Sequence, residues 1–572
     1  MAMRKLSSVQ LSVIGSVAYL AGLFLYIILT VNPVLYFHHV QPPFLLSCDF
    51  LSRYFNYPGG PAELIAHFLM QSFINPFSGT FVLFGVALTI LFLTNSLLNS
   101  VYCCKLNRLW SLIPVTLSVV LTNNYNLPYS VIISVVVVLL LMLFLAKTGK
   151  KPLTFFICYM AGVLITYLCC GSGYLLLFTA GSIFLVKPFR LLDRMLVISF
   201  IMVVSLVIPS MAYHFIFAIP EGSKYFYFFA PKLYFMAYNP SAIFYLFLST
   251  IPVLLMITTI LSKYQRTKLV MKLNMLPLNI RLAFSFAVIG IVAYLSHAAT
   301  YMYDAKKIVE SDYYCYTHNA TKTAKAATGL QEYSFTANLN YNLVFSKAEN
   351  LNENFFGFLQ LSGTESLLPD NEFLAERAFI AADFYYHLGY ISEARHWAYE
   401  ALVFYPYSQR ALQLLVKIHL VTREYKAAER HLKTLGKGIF NSRFIHEFQP
   451  FVDDTSLTNT NKEIVEKRSF IPAERELSPF IEQRLIELLQ ANGNNKSAFE
   501  FLLIYYLLDA QFDNFIALYP DANKFYNRPV TLYEEALLMY GEKTGEKIQS
   551  KFSISDATLA RYKEFNHTFQ QY

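Results

Sequence analysis

The chain has 572 residues, 55% of them apolar and 16% aromatic, and a formal net charge of +8. Its basic residues are scattered over short connectors and form no single patch, which argues against a nucleic-acid partner and reads instead as topology signalling. The seven cysteines are an odd number with no CxxC pair, which argues against a disulfide framework or a structural zinc site.

The opening stretch, MAMRKLSSVQLSVIGSVAYLAGLFLYIILTV, joins a basic start to an apolar run too long for a signal peptide and lacks a small-x-small cleavage site. It is expected to remain as the first span. An outer loop follows over residues 31–77. Inside it, YPGGPAELIAHFLMQSF predicts a short interfacial helix, with Pro61 in the first turn after Gly60. Leu64, Ile65, Phe68, Leu69 and Phe73 make an apolar arc there, with Glu63, His67 and Gln71 opposite. Such a helix would roof a groove open to the outer leaflet.

Apolar runs at about 9–30, 78–102, 109–122, 129–146, 153–169, 172–186, 195–217, 239–262 and 282–302 predict nine spans, with 109–122 and 172–186 short enough to be half-spans. The connectors alternate in charge. One side, including the N-terminus, carries fifteen Lys and Arg, whereas the short loops of the other carry Arg53, Lys224 and Lys232. The excess of positive charge places the N-terminus in the cytoplasm and, after nine crossings, residues 304–572 outside, in a bacterial periplasm. The aromatic loop SKYFYFFAPKLYFMAYNP reads as an interfacial belt, with a sugar-stacking platform as the alternative.

Beyond residue 303 the hydrophobicity falls and the acidic residues gather. A helical connector over 304–370 leads to 371–442, where a 34-residue period appears, the length of a tetratricopeptide repeat. In the first unit Tyr385, Gly389, Ala394, Ala398, Ala401 and Pro406 fall at that repeat's positions. Small residues at 394, 398 and 401 let two antiparallel helices approach, Gly389 serves the turn, and Pro406 stops the second helix. The next unit keeps Leu415, Tyr425 and Ala428 but has Leu432 and Leu435 in place of small residues. Two units cannot bury a continuous core, so helices expected at 345–362, 478–491, 496–509 and 530–542 would cap them, the last three within a C-terminal region over 443–572. The fold class is therefore all-α: a polytopic bundle followed by a soluble tetratricopeptide-like domain. Its face would bind an envelope protein through Tyr385, Tyr386 and His419; the alternative is a scaffold that stacks on itself or on the membrane half.

FYYHLGYISEARHWAYEAL, KIHLVTREYKAAERHLKTLGK, SLLPDN and YPGGPAE together resemble an uncharacterised family of multi-pass membrane proteins from Bacteroidota, defined as a domain of unknown function. The resemblance implies a Gram-negative inner membrane and no established activity. In plan the chain is also similar to polytopic glycosyltransferases that use lipid-phosphate sugars. Those carry an acidic residue and interfacial helices in the first outer loop and often an outer C-terminal domain.

That likeness makes Asp49 the first candidate for a carboxylate that takes the acceptor proton or holds a divalent metal against a polyprenyl-phosphate sugar, with Glu63 second. Arg53, Lys224 and Lys232 would pair with phosphate, and His38, His39 and His67 would serve as base or donor. The plain alternatives stand beside these: Asp49 as a solvated or helix-capping residue, and the histidines as interfacial side chains. No apolar run carries Asp, Glu, Lys or Arg near its middle, which disfavours ion-coupled transport. No Walker loop, GxSxG, HExxH or dinucleotide fingerprint is present. Two readings follow: a lipid-linked sugar transferase, or a membrane-anchored scaffold without catalysis.

Overall fold

The computed structural model describes residues 8–102, 107–148, 151–186, 191–217, 242–264, 277–369, 375–472, 478 and 480–569. Among them every regular element is a helix. The chain divides into two compact units, one of Met1–Met302 with Lys437–Phe440, the other of Tyr303–Gly436 with Asn441–Tyr572.

In the first unit seven helices are long and apolar enough to cross a membrane: Ser12–Val31, Pro76–Val101, Ser130–Thr148, Leu153–Cys170, Met195–Ala212, Ala242–Lys263 and Leu278–Thr300. The most interior is Ser130–Thr148, whose sequence SVIISVVVVLLLMLFLAKT is apolar on all sides, as a helix without a solvent face requires. It packs against Pro76–Val101, Leu153–Cys170 and the shorter helix Gly173–Leu185.

The two short apolar runs differ from the other seven. Asn107–Leu121 and Gly173–Leu185 are helices of 10–17 residues, which at 1.5 Å per residue reach roughly 20 Å, short of a ~30 Å hydrocarbon core. Leu112–Leu121 is buried along nearly its whole length, so its hydrophobicity serves protein packing. Its hydroxyls are spent locally: Thr116 donates to the Leu112 carbonyl at 2.8 Å and Ser118 to that of Val115 at 2.7 Å.

The second unit is built from helical hairpins. Helices Ala375–Leu388 and Ile391–Phe404 are followed, 34 residues later at each start, by Gln409–Val421 and Tyr425–Leu435. The turns correspond as well, since Gly389 (φ 92°) and Arg423 (φ 62°) both adopt the left-handed conformation. In each, the amide just after the left-handed residue returns to a carbonyl five residues back: Tyr390 to Tyr385 at 2.9 Å and Glu424 to His419 at 2.8 Å. A Cβ on Gly389 would lie 2.5 Å from the Phe470 side chain, so close packing as well as φ calls for glycine.

The same turn recurs outside the two units read from the sequence. His318 (φ 57°) joins Tyr303–Tyr316 to Ala320–Thr328, and Ala510 (φ 55°) joins Lys496–Leu508 to Phe512–Leu518. The corresponding bonds are Asn319 to Tyr314 and Gln511 to Tyr506, both 2.8 Å. The helix expected at 345–362 instead runs over Phe335–Lys347 and breaks at Glu349 (φ 58°) before Leu351–Asn354. One continuous core runs through these hairpins, with Ala394, Ala398, Ala401, Leu415 and Ala428 fully buried.

Candidate functional site

The first long helix ends in a π-helical turn, Ile27–Val31, and in Asn32, whose φ of 53° reverses the chain. Pro33 then starts the helix Pro33–Val40. Cys48–Arg53 and Gly60–Met70 follow before Asn75 caps Pro76–Val101, its Oδ1 accepting from the Phe77 amide at 2.9 Å. Between the first two long helices lie three short ones.

This segment is tied to the rest of the first unit by specific bonds. The Tyr36 hydroxyl donates to the Leu127 carbonyl and Tyr125 donates to that of Val31 at 2.6 Å. Nε2 of His39 lies 2.8 Å from Oδ1 of Asn126, and the Gly59 amide donates to the Leu168 carbonyl at 3.0 Å. The double glycine has a reason at each position. Gly59 has φ 93°, and a Cβ on Gly60 would stand 1.9 Å from the Tyr54 carbonyl oxygen.

On Gly60–Met70 the face toward the protein carries Ala62, Ala66 and Met70, with Gln71 buried beyond it, while Ile65 and Phe68 point outward. Glu63 and His67 lie on the inner flank, with side-chain exposures of 27% and 16%. Tyr57 donates to Oε2 of Glu63 at 2.8 Å. The Tyr54 hydroxyl lies 2.9 Å from Nδ1 of His67, and Nε2 of His67 is 3.9 Å from Oε1 of Glu63. The result is a sequence of four groups, Tyr57, Glu63, His67 and Tyr54.

Burial raises the Glu63 carboxyl above its ordinary value against the opposing pull of the Tyr57 bond. Burial pushes the His67 imidazole down to about 4. A carboxylate made more basic than usual is a group able to accept a proton. Neither tyrosine was legible as a partner, because the turn at 58–60, not a helical spacing, brings Tyr54 and Tyr57 back over the helix.

The other expected residues divide sharply. Asp49 is exposed on the first turn of the six-residue helix Cys48–Arg53, and Arg53 is exposed at its end. The Asp49 carboxylate is bonded to neither Glu63 nor His67, and its backbone carbonyl accepts from Ser52 at 3.2 Å. Among the described residues no three His, Cys, Asp or Glu side chains converge to hold a metal ion, so the divalent-metal role assigned to Asp49 has no ligand set there. His38 is buried, and its carbonyl accepts from Nε2 of Gln41 at 2.8 Å. Lys224 and Lys232 lie outside the described residues.

The residues expected to meet a protein partner are interior, which corrects that assignment. Tyr385 is 1% exposed; its hydroxyl donates to the Pro369 carbonyl at 3.0 Å and receives Arg484 at 3.1 Å. Tyr386 donates to Glu463 at 2.9 Å. His419 is buried between Glu424, 2.7 Å from its Nδ1, and Tyr399, 3.0 Å from its Nε2. Tight helix approach places these side chains inside the hairpins, where they hold the repeat together.

No curated protein and no solved structure matches the chain. A family model does match, over residues 7–572. With its apolar helices and nearly full-length match, the chain belongs to a family of unknown function, DUF6057.

Proposed function

We propose that the protein is an integral-membrane transferase acting on a lipid-linked sugar at the outer face of a bacterial inner membrane, with Glu63 as the base. The observation that carries this reading is the half-buried Glu63 carboxylate, bonded to Tyr57 and near His67, on a segment between the first two long apolar helices. In the reaction an acceptor hydroxyl forms a new bond to the anomeric carbon, the bond from that carbon to the phosphate oxygen breaks, and the lipid phosphate leaves with its electron pair. Glu63 receives the acceptor proton, and His67 stays neutral beside it. Arg53, on the same segment, supplies positive charge for the phosphate.

Orientation rests on the charge asymmetry of the connectors. An odd number of crossings carries the C-terminal unit to the side opposite a cytoplasmic N-terminus. A reporter fused after Tyr572 is then active in the periplasm. Glu63→Gln abolishes the glycan product at unchanged protein level, whereas Asp49→Asn leaves it. A product that survives Glu63→Gln removes the reading.

A second reading is favoured by a separate observation, the 34-residue recurrence of helix starts and left-handed turns at Gly389 and Arg423. It makes the second unit a tetratricopeptide-like scaffold for an envelope protein partner. Such a partner would meet outward side chains such as Tyr399 and Val403, exposed one turn apart, since Tyr385, Tyr386 and His419 are interior. Under it Glu63→Gln is silent and Tyr399→Ala with Val403→Ala releases the partner in pull-downs.

A further inference from the structure

Two small cavities of the first unit, each of about 10 Å³, differ in chemistry. One, between Trp110, Ile113, Phe284, Ser285, Val288 and Ile289, offers a single hydroxyl, and Ser285 already donates to the Arg281 carbonyl at 2.9 Å. The other is enclosed by the first long helix at Ile27, by Leu83, Val86 and Ala87, by Ser118 and Thr122 of the short buried helix and its end, and by Tyr129.

Three hydroxyl-bearing residues line this second cavity. Ser118 and Thr122 give their protons to the carbonyls of Val115 and Val119, at 2.7 and 2.6 Å, which leaves each oxygen able to accept. Tyr129 is 2% exposed, and its hydroxyl is fully buried without a hydrogen-bond partner among the described residues. Its ring is fixed by edge-to-face contact with Phe73, at 5.6 Å between centroids, so the hydroxyl cannot swing away to find another partner. The next residue after Thr122 repeats the situation: Oδ1 of Asn123 is buried and unpaired, while its Nδ2 donates to Tyr26 at 2.5 Å.

A buried hydroxyl left unsatisfied costs free energy that a native fold rarely concedes, and a polar space of this size accommodates one water able to make two to four bonds. We propose that the cavity is a binding site for a single structural water, which accepts from the Tyr129 hydroxyl and donates to the oxygens of Ser118 and Thr122. The water cross-links the end of the short helix Leu112–Leu121 to the start of Ser130–Thr148. It adds to the polar links that short helix already has to other helices, Thr116 with Tyr19 at 2.6 Å and the Val120 carbonyl with Thr300 at 3.3 Å. The apolar cavity beside Trp110 stays dry by the same reasoning.

The sign of one substitution separates the alternatives. Tyr129→Phe removes a hydroxyl and nothing else. If a water is bound, the variant strands it and lowers the melting temperature of the full chain in nanodiscs by about 2 °C. If the hydroxyl is truly unsatisfied, the variant relieves a penalty and raises it. A density map of the full chain, at a resolution that shows other internal waters, is expected to contain a peak within hydrogen-bond distance of Oη of Tyr129 that vanishes in Tyr129→Phe. A raised or unchanged melting temperature, or a map without that peak, overturns the proposal.

Discussion

Arg410 holds Asp312 by two parallel hydrogen bonds, 2.9 Å from Nη1 and 3.0 Å from Nη2, and its Nη2 also reaches Asp383 at 2.6 Å. The guanidinium is 5% exposed and lies over the rings of Tyr316 and Phe379. It links three helices of the second unit that lie far apart in sequence. Arg410→Met leaves two carboxylates confined without their partner, and a buried pair broken on one side costs about 3 kcal/mol. Thermal unfolding of the full chain should register that loss, and Arg410→Lys should restore little of it, because an ammonium cannot reproduce the forked geometry.

Glu500 predicts a pH dependence with a definite sign. It is 1% exposed and accepts from Asn352 at 3.3 Å and from the Tyr526 hydroxyl, while Tyr533 donates to Asn352 at 2.6 Å. Burial pushes its carboxyl up to about 7, only partly offset by the Tyr526 bond and by Lys496. Between the unfolded value near 4.5 and about 7 the folded chain therefore holds a proton that the unfolded chain has released. Stability from this group is greatest below the lower value and falls as pH rises through the window, by at most about 3 kcal/mol. Glu500→Gln should flatten that slope, so the gap between variant and parent melting temperatures should widen from pH 5 to pH 8.

Gly60→Ala should disrupt the outer segment, because a Cβ there would stand 1.9 Å from the Tyr54 carbonyl oxygen, which is backbone and cannot swing aside. Alanine at Gly22 or Gly85, where nothing lies within 4 Å, should be tolerated. Protease accessibility of the 48–60 stretch in the full chain checks the contrast. Equal behaviour of the three variants would contradict this account of the double glycine.

Glu534 secures the last described helix, Asp556–Phe569. Its carboxylate accepts from the Ser555 amide and hydroxyl, both at 2.7 Å, and from the Thr558 hydroxyl at 2.5 Å, while only 1% exposed. The negative charge also sits at a helix N-terminus, where it is favoured. Glu534→Ala should free this helix locally at a cost of about 2 kcal/mol, seen as faster amide exchange over 556–569 with the rest of the chain unchanged.

The outer segment shows how far a linear reading reaches. Spacing of four along one helix was enough to put Glu63, His67 and Gln71 on a common polar side, and burial of that side agrees with it. Tyr54 and Tyr57 carried no such signal, because their approach depends on the left-handed turn at Gly59 and the backbone contact at Gly60. Asp49 drew attention as the first acid after the first apolar run, yet its helix turns it outward. Likewise, Tyr385 and His419 have the residue types of a binding surface, but their hydroxyl and imidazole are engaged inside the hairpins.

What the sequence by itself determined is the helical class, the lengths of the apolar runs and the 34-residue recurrence, since these rest on local periodicity and on hydrophobic content within a few turns of chain. Only the tertiary structure decided that the first of the two short apolar helices is buried along nearly its whole length. It alone assigned Tyr57 to Glu63, and Asp312 to Arg410 across 98 positions. The physical reason is that a hydrogen bond or an ion pair is settled within a few tenths of an ångström, by turns and packing that bring distant residues together, and no local pattern encodes that distance.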